Sequence, residues 1–455
     1  MKISVVGRSI SKPIDPDSNL NSLFEPEEIR KDLTIMSGKA SGICYMPDDY
    51  LSDGIQNEEK AIKRAAGNAN SGHYSVYEHG HVNFIIEADK MMAMVLNSLG
   101  LYATSEKSSR YTAMHPDTKL ECEKYEKWQN IFKELINVYY KDTYDEKQIS
   151  KLAMENARYM ISVFVPTTME YTVPFSRAIL TCSWLDILAD NVDKAIEYKF
   201  QNITANLAFY KRLAHECREL AALMREQIGI TKDDHILDDH KRIGIELFDI
   251  LSAAYKLETI TNIYQDPSVL QAMDEGNPLK PTYYGDSYVS NYQESLAGFA
   301  QSQRHRTLHY SIILPKKLDC YVPKIIRSSM YEVEWRKDYN QLVTHGVMPQ
   351  CTLLDVCEQG RFEDFVLKCK ERLCSRAQLE IMEVTRDQVA QFAKNRINLG
   401  IINIKMLNDM IEVKPGENPN SYTNVIVKPK CRYSCYKCKE ACKLNDKMVN
   451  YFRNI

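Results

Sequence analysis

The chain has 455 residues, of which 44% are apolar, and a formal net charge of −3. Such a length predicts roughly two to three domains with sizeable cores. The near-neutral balance excludes a global field that would draw nucleic acid or an acidic membrane. The N-terminal MKISVVGRSISK has too short an apolar run for a signal peptide, and Met91 to Leu96 is far too short to span a bilayer. The expectation is a soluble, cytoplasmic protein.

Taken in order, the first region covers residues 1–228. HVNFIIE, from His81 to Glu87, mixes alternation with a short apolar run and predicts a strand. EADKMMAMVLNSLG predicts a helix ending at Gly100, and the polar TSEKSSRYT after it predicts a loop carrying Glu106, Ser108 and Arg110. From Val192 to Glu226, helix formers place apolar residues at helical spacing. GITKDDHILDDH, at 229–240, reads as a linker. The second region covers 241–404 and holds two predicted helices, SLAGFAQSQRHRTL and FEDFVLKCKERLCSRAQLEIMEV. In the latter, Val366, Cys369, Leu373 and Ala377 face a core, while Lys368, Arg372 and Arg376 form a basic stripe along its edge. A loop-like KPGENPNS then leads to a cysteine-rich tail over 425–455. The halves show no direct self-repeat by inspection.

Two sets of residues carry chemistry. Arg304-His305-Arg306, three residues after Gln301, puts three cationic or near-cationic side chains together, a pattern suited to phosphates or a negatively charged cofactor. About 200 residues earlier stand Glu106, Ser108 and Arg110, on a polar loop suited to a dianionic monophosphate, preceded by His73 and the pair Glu78-His79. Glu78, His79 and His81 lack an HExxH spacing, and neighbours on a strand point to opposite faces, so a metal there is not expected. No GxGxxG follows a strand, which leaves a Rossmann site unsupported. Of 13 cysteines, nine lie scattered between Cys44 and Cys374 and read as small buried apolar residues. The other four, Cys431, Cys435, Cys438 and Cys442, have a spacing that could close a tetrahedral shell around zinc, with an iron–sulfur cluster as the alternative. Residues 428–455 carry eight Lys or Arg against two acidic residues, a charge whose default role is solubility.

These motifs resemble the flavin-dependent thymidylate synthases. GHYSVYEHGHVNFIIE is similar to the family's strand region, with a His after Gly and a Glu-His pair beyond it. The family signature is Arg-His-Arg, seven residues, Ser, one residue, Arg. Ser108 and Arg110 fit its end and Glu106 fits the preceding Glu, but Ser98, Leu99 and Gly100 occupy the Arg-His-Arg positions. In the second half the reverse holds. Gln301 and Arg304-His305-Arg306 fit, while Ile312, Leu314 and Lys316 occupy the Glu, Ser and Arg positions. VTHGVMP resembles the segment where the family has Arg before Val-Leu-Pro, with His345 replacing that Arg, and NARYMISVFVP is its weaker N-terminal counterpart. RLCSRAQLEI resembles the C-terminal motif, where Arg372 fits; in the first half Asp186 falls there.

The resemblance implies an α+β fold: two halves with helices packed on a mostly antiparallel sheet, plus the cysteine tail. It implies a divergent tandem fusion with composite sites, each half keeping only its own contribution. The activity implied is reductive methylation of dUMP with FAD, methylenetetrahydrofolate and NADPH. Glu106, Ser108, Arg110, Gln301, Arg304 and Arg372 would bind nucleotide. His73, His305 and Arg306, with Arg304, would hold flavin, and Arg304 and His73 would be catalytic. The expected assembly is a homodimer of the fused chain, with no nucleic acid or membrane partner. Another pyrimidine nucleotide as substrate, or a non-catalytic binding protein, are the alternatives.

Overall fold

A computed structural model describes residues 1–11, 19–45, 49, 51–98, 102–108, 112–199, 201, 205–234, 261–265, 286–374, 377–398, 410–414 and 424–433. Arg110, Arg376, Gly100, Cys435, Cys438 and Cys442 lie outside them. The first part of the chain forms β1 (Lys2–Arg8), α1 (Pro26–Tyr45), α2 (Asp53–Gln56), α3 (Glu58–Ser71), β2 (His81–Asp89), α4 (Lys90–Asn97) and β3 (Ala103–Glu106). Next come α5 (Lys119–Tyr140), α6 (Glu146–Ala157), β4 (Pro166–Pro174), α7 (Phe175–Glu197) and α8 (Leu207–Gln227). The remainder forms β5 (Thr261–Gln265), β6 (Asp286–Ser295), α9 (Leu296–Ser302), β7 (His309–Ile313), α10 (Met330–Thr344), β8 (Leu353–Arg361), α11 (Phe362–Arg372), α12 (Leu379–Asn398), β9 (Ile411–Lys414) and β10 (Asn424–Val427). This is the α+β class expected from the resemblance.

The chain divides into two units. Unit 1 is Met1–Lys119 with Ser162–Ile245, and unit 2 is Leu120–Ile161 with Glu246–Ile455. In unit 1 the sheet order is β1-β2-β4-β3, and in unit 2 it is β5-β6-β8-β7, with every neighbouring pair antiparallel. The central ladders also agree in register. β2 meets β4 over nine rungs, from His81↔Pro174 to Asp89↔Pro166, and β6 meets β8 over nine, from Ser287↔Arg361 to Ser295↔Leu353. The last residue of each central strand caps the next helix. Asp89 accepts from the Met92 N–H at 2.9 Å, and Ser295 accepts from the Gly298 N–H at 3.0 Å.

Each unit builds its core from the period of its strands. In β2, Val82, Phe84 and Ile86 are buried, and in β4 so are Met169, Tyr171 and Val173, the alternation of a sheet with one covered face. Helix α4 is buried on every side, which explains its unbroken MMAMVL run. In unit 2, Phe365, Val366, Cys369 and Leu373 of α11 pack with Val389, Phe392 and Tyr433. Cys182, Cys217, Cys320, Cys351 and Cys369 are buried, as expected of small apolar residues, whereas Cys122, Cys357 and Cys374 are only half-buried.

The structure departs from the sequence reading at four places. Glu106 ends a strand, β3, where a loop was expected, because Ala103–Glu106 pairs with β4. The helix expected over SLAGFAQSQRHRTL stops at Ser302, leaving Arg304-His305-Arg306 beyond it. The long helix expected from Phe362 is two helices: at its break the Leu373 carbonyl accepts from the Lys430 N–H at 2.7 Å instead of continuing the helical ladder. Finally, Glu87, Ala88 and Asp89, expected to open a helix, end β2, and α4 begins at Lys90; the loop-like KPGENPNS lies outside the described residues beyond Lys414, between β9 and β10, which pair antiparallel. No helix among the described residues is long and apolar enough to cross a membrane.

Candidate functional site

The ladders show where the two motif sets stand. From Asp89 to Ala103 and from Ser295 to His309 the connections are equal in length, and Ala103 and His309 occupy the same rung of their sheets. Counting along them pairs Val95 with Gln301, and Ser98 with Arg304. Glu106, opposite Met169, has Ile312, opposite Val356, as its counterpart, and Ser108 has Leu314. The hydrogen-bond registers match Glu106 with Ile312, and residue counting from the ladders matches the other positions.

In unit 1, Glu106 is nearly buried, with its carboxylate 2.5 Å from the Lys90 ammonium. Lys90 opens α4 next to the Asp89 cap, so the sheet edge and the helix start meet at this pair. The Ser108 carbonyl accepts from the Thr112 N–H at 3.0 Å. His73 follows Gly72, whose φ of 79° ends α3 in the left-handed conformation, and its N–H donates to the Asn68 carbonyl at 2.9 Å. The His73 side chain is exposed, as are Glu78, His79 and His81. No group of three His, Cys, Asp or Glu among the described residues is placed to hold a metal. Asp186 pairs with Arg225 at 2.7 Å.

In unit 2 the structure brings Gln301, His305 and Arg372 together. The Arg372 guanidinium donates from Nε to His305 Nε2 at 2.8 Å and from Nη2 to the Gln301 carbonyl at 2.9 Å. His305 is buried, and burial first, then the charges of Arg372 and Lys368, push its pKa down to about 2. It is therefore neutral, and accepting at Nε2 leaves its proton on Nδ1. The Arg-His-Arg triplet accordingly carries two cations, Arg304 and Arg306, and not three cationic or near-cationic groups. Arg306 is exposed and Arg304 half-buried.

The expected basic stripe on α11 is also not formed. Lys368 is fully buried and donates to the Glu358 carboxylate and, at 3.0 Å, to Gln388. Glu358 further accepts from the Tyr288 and Tyr292 hydroxyls at 2.6 and 2.8 Å. A lone buried ammonium is costly, and this set of partners is what makes the position tolerable.

Sequence reasoning missed a second cluster behind Gln301. The Gln301 amide donates to Gln378 Oε1, which also accepts from the Arg158 guanidinium, and the Gln378 amide donates to the Tyr159 hydroxyl. Tyr159 in turn donates to Glu380 at 2.6 Å, and Glu380 accepts from the Ser295 N–H and hydroxyl, both at 2.7 Å. Burial raises the Glu380 pKa. A signal was present. Arg158 lies in NARYMISVFVP, and counted back equally from Pro166 and Leu353, which share a rung, it matches His345. The Arg missing from the second half is present in the first. Two cavities, of about 670 Å³ in unit 1 beside Tyr74 and Tyr77, and about 680 Å³ in unit 2 beside Thr307 and His309, are lined by none of the candidate residues.

Residues 35–179 match the model of a family described as Thy1, thymidylate synthase complementing protein. That stretch is what the chain shares with the family. It spans β2, β3 and β4 with His73, Glu106 and Ser108, so the resemblance read from the sequence is borne out there. Among solved structures, a thymidylate synthase X of Helicobacter pylori with FAD and dUMP is 16% identical over 53% of this chain and 99% of its own, with a TM-score of 0.26. A UMP/dUMP methylase, PolB, of Streptomyces cacaoi bound with 5-Br dUMP is 16% identical over 39% of this chain and 74% of its own, with a TM-score of 0.23. No curated protein matches the chain.

Proposed function

We propose that this chain is a tandem pair of flavin-dependent thymidylate synthase halves whose complementary motif sets form composite sites for reductive methylation of dUMP. One observation carries the reading. At register-matched positions, unit 1 keeps Glu106 and Ser108 where unit 2 has Ile312 and Leu314, and unit 2 keeps Gln301 and Arg304 where unit 1 has Val95 and Ser98. The family match over 35–179 supports the same reading.

The residues present suit such ligands. Arg304 and Arg306 offer two forks of donors for a dinucleotide's phosphates, and neutral His305, held by Arg372, offers a fixed Nδ1–H. Ser108, and Arg110 by its position in the sequence, would meet a nucleotide phosphate, and His73 would lie near flavin by resemblance alone. FAD, when bound, supplies hydride chemistry; methylenetetrahydrofolate and NADPH enter by the same resemblance. The protein's part is to fix charge and orientation around the pyrimidine. In the tail, the spacing of Cys431, Cys435, Cys438 and Cys442 supports zinc; Cys431, the one described member, is exposed. Metal analysis of the protein and its Cys431→Ser variant tests that assignment.

The test of the whole reading is the visible spectrum of the purified protein before and after adding dUMP. Flavin bands that shift with dUMP are expected. An Arg304→Ala/Arg306→Ala variant is expected to lose flavin, while Arg110→Ala keeps flavin and weakens dUMP binding. Flavin retained at full occupancy in the double variant would defeat the proposal.

A further inference from the structure

The side-chain amide of Gln301 has its orientation set from behind. Arg158 carries only donors, so the Gln378 atom facing it must be the carbonyl oxygen. The other end of Gln378 is then its amide nitrogen, which meets Tyr159, and the Tyr159 proton goes on to Glu380. Since Gln301 faces the same Gln378 oxygen, it must present its own nitrogen there. Gln301 Oε1 is left pointing away, buried and without a hydrogen-bond partner among the described residues. A buried acceptor without a donor costs free energy, which a ligand donor placed against it would recover.

We propose that Gln378 is a positioning residue: by accepting from Arg158 and Gln301 together, it fixes Gln301 to offer a carbonyl acceptor to a nucleotide's N–H or O–H group. The inference rests on the proposed function, and it assigns a task to Gln378, Arg158 and Tyr159, which lie in RLCSRAQLEI and NARYMISVFVP but were given no role there. It also gives Arg158 an indirect role. Its guanidinium selects which face of one amide, and through it of a second, looks outward. A pyrimidine that lacks a donor where Gln301 Oε1 points would leave that oxygen unpaired, so the arrangement discriminates by hydrogen-bond polarity.

The experiment is dUMP binding to the intact protein, with flavin absorbance read alongside. Gln378→Glu keeps an acceptor for both Arg158 and Gln301, and is expected to retain dUMP affinity. Gln378→Met removes that acceptor and is expected to weaken dUMP about tenfold, the effect of one buried hydrogen bond, with flavin occupancy unchanged. Gln301→Ala should lose about the same, and the double variant Gln301→Ala/Gln378→Met no more than Gln301→Ala alone. Additive losses, or equal losses in Gln378→Glu and Gln378→Met, would overturn the positioning role while leaving the functional reading intact. Absence of any dUMP binding by the unaltered protein would instead overturn that reading, and this inference with it. N3-methyl-dUMP and 2′,3′-dideoxyuridine monophosphate identify the donor: one of them should bind about tenfold more weakly than dUMP, with the deficit gone in Gln301→Ala. Full affinity for both analogues would refute the acceptor assignment.

Discussion

The two units solve the same packing problem with different chemistry. On β4 of unit 1, the position facing into the core is Tyr171, and the seventh residue of the following helix is Thr181. The equivalent rung of β8 carries Glu358, and the seventh residue of α11 is Lys368, both fully buried and joined as an ion pair. Sheet order, register and connection length are shared, yet at this place one core is neutral and the other holds a charged pair with two tyrosine hydroxyls. A backbone lattice therefore constrains the size and direction of a side chain far more than its charge. That is why Arg304, His305 and Arg372 can gather around the α9 end of unit 2 while the same place in unit 1 follows the apolar α4.

The sharpest way to break the comparison is to remove one charge. Lys368→Met leaves Glu358 buried without its cation and is expected to destabilise unit 2 by about 3–5 kcal/mol in denaturant unfolding, with much of the loss recovered by adding Glu358→Gln. Thr181→Val, at the matching place in unit 1, should cost far less. If the two single variants unfold alike, the ion pair is not what distinguishes the cores.

The next effect concerns Asp338, whose carboxylate accepts from Lys124 and Lys127, each at 2.6 Å, and from the Trp128 indole at 3.0 Å. These bonds tie α5 to α10 within unit 2, beside the edge-on contact of Trp128 with Trp335 at 4.7 Å. Asp338→Ala should cost about 2 kcal/mol in denaturant unfolding, since it takes the acceptor from Lys124 and from the buried indole N–H, while Lys127 keeps Glu334 at 2.6 Å. An unfolding midpoint unchanged by the substitution would show that these bonds do not hold α5 to α10.

A smaller effect sharpens the comparison through pH. In unit 1, burial and then the hydrogen-bonded carboxyl of Glu216 push Asp89 up to about 8 from its ordinary 3.8. In unit 2, burial and then Glu380 push Glu294 up to about 8 from 4.5. Each native group holds a proton that the unfolded chain has lost, so stability falls as pH rises from about 4 to about 8 in both units. Asp89→Asn should flatten that slope in unit 1 and Glu294→Gln in unit 2, measured as unfolding midpoints across the range. A slope unchanged in either variant would reassign the proton.

Much of this was legible in the sequence, and what was not has definite causes. β2 and the body of α4 could be read because alternation and a dense apolar run are local signals. The motif correspondence could be read because residue spacing survives in the connections that join β2 to β3 and β6 to β7. Lys368 was misread as surface because helical spacing cannot reveal that Glu358 waits on the neighbouring strand. His305 was misread as near-cationic because its burial against Arg372 is a tertiary fact. The role of Gln378 depends on Arg158, some 220 residues earlier, a separation that no local pattern spans.

One further consequence follows from how the chain is threaded. Unit 2 is made of Leu120–Ile161 together with Glu246–Ile455, and the first of these pieces is inserted within the sequence of unit 1. A single cut between residues 235 and 245 would therefore not separate two self-sufficient proteins. The N-terminal fragment would carry Trp128, Arg158 and Tyr159 away from the polypeptide that holds Trp335, Gln378 and Glu380, and the C-terminal fragment would lack part of its own core. The two fragments should accordingly fold poorly alone and complement each other when coexpressed, much as a split reporter does.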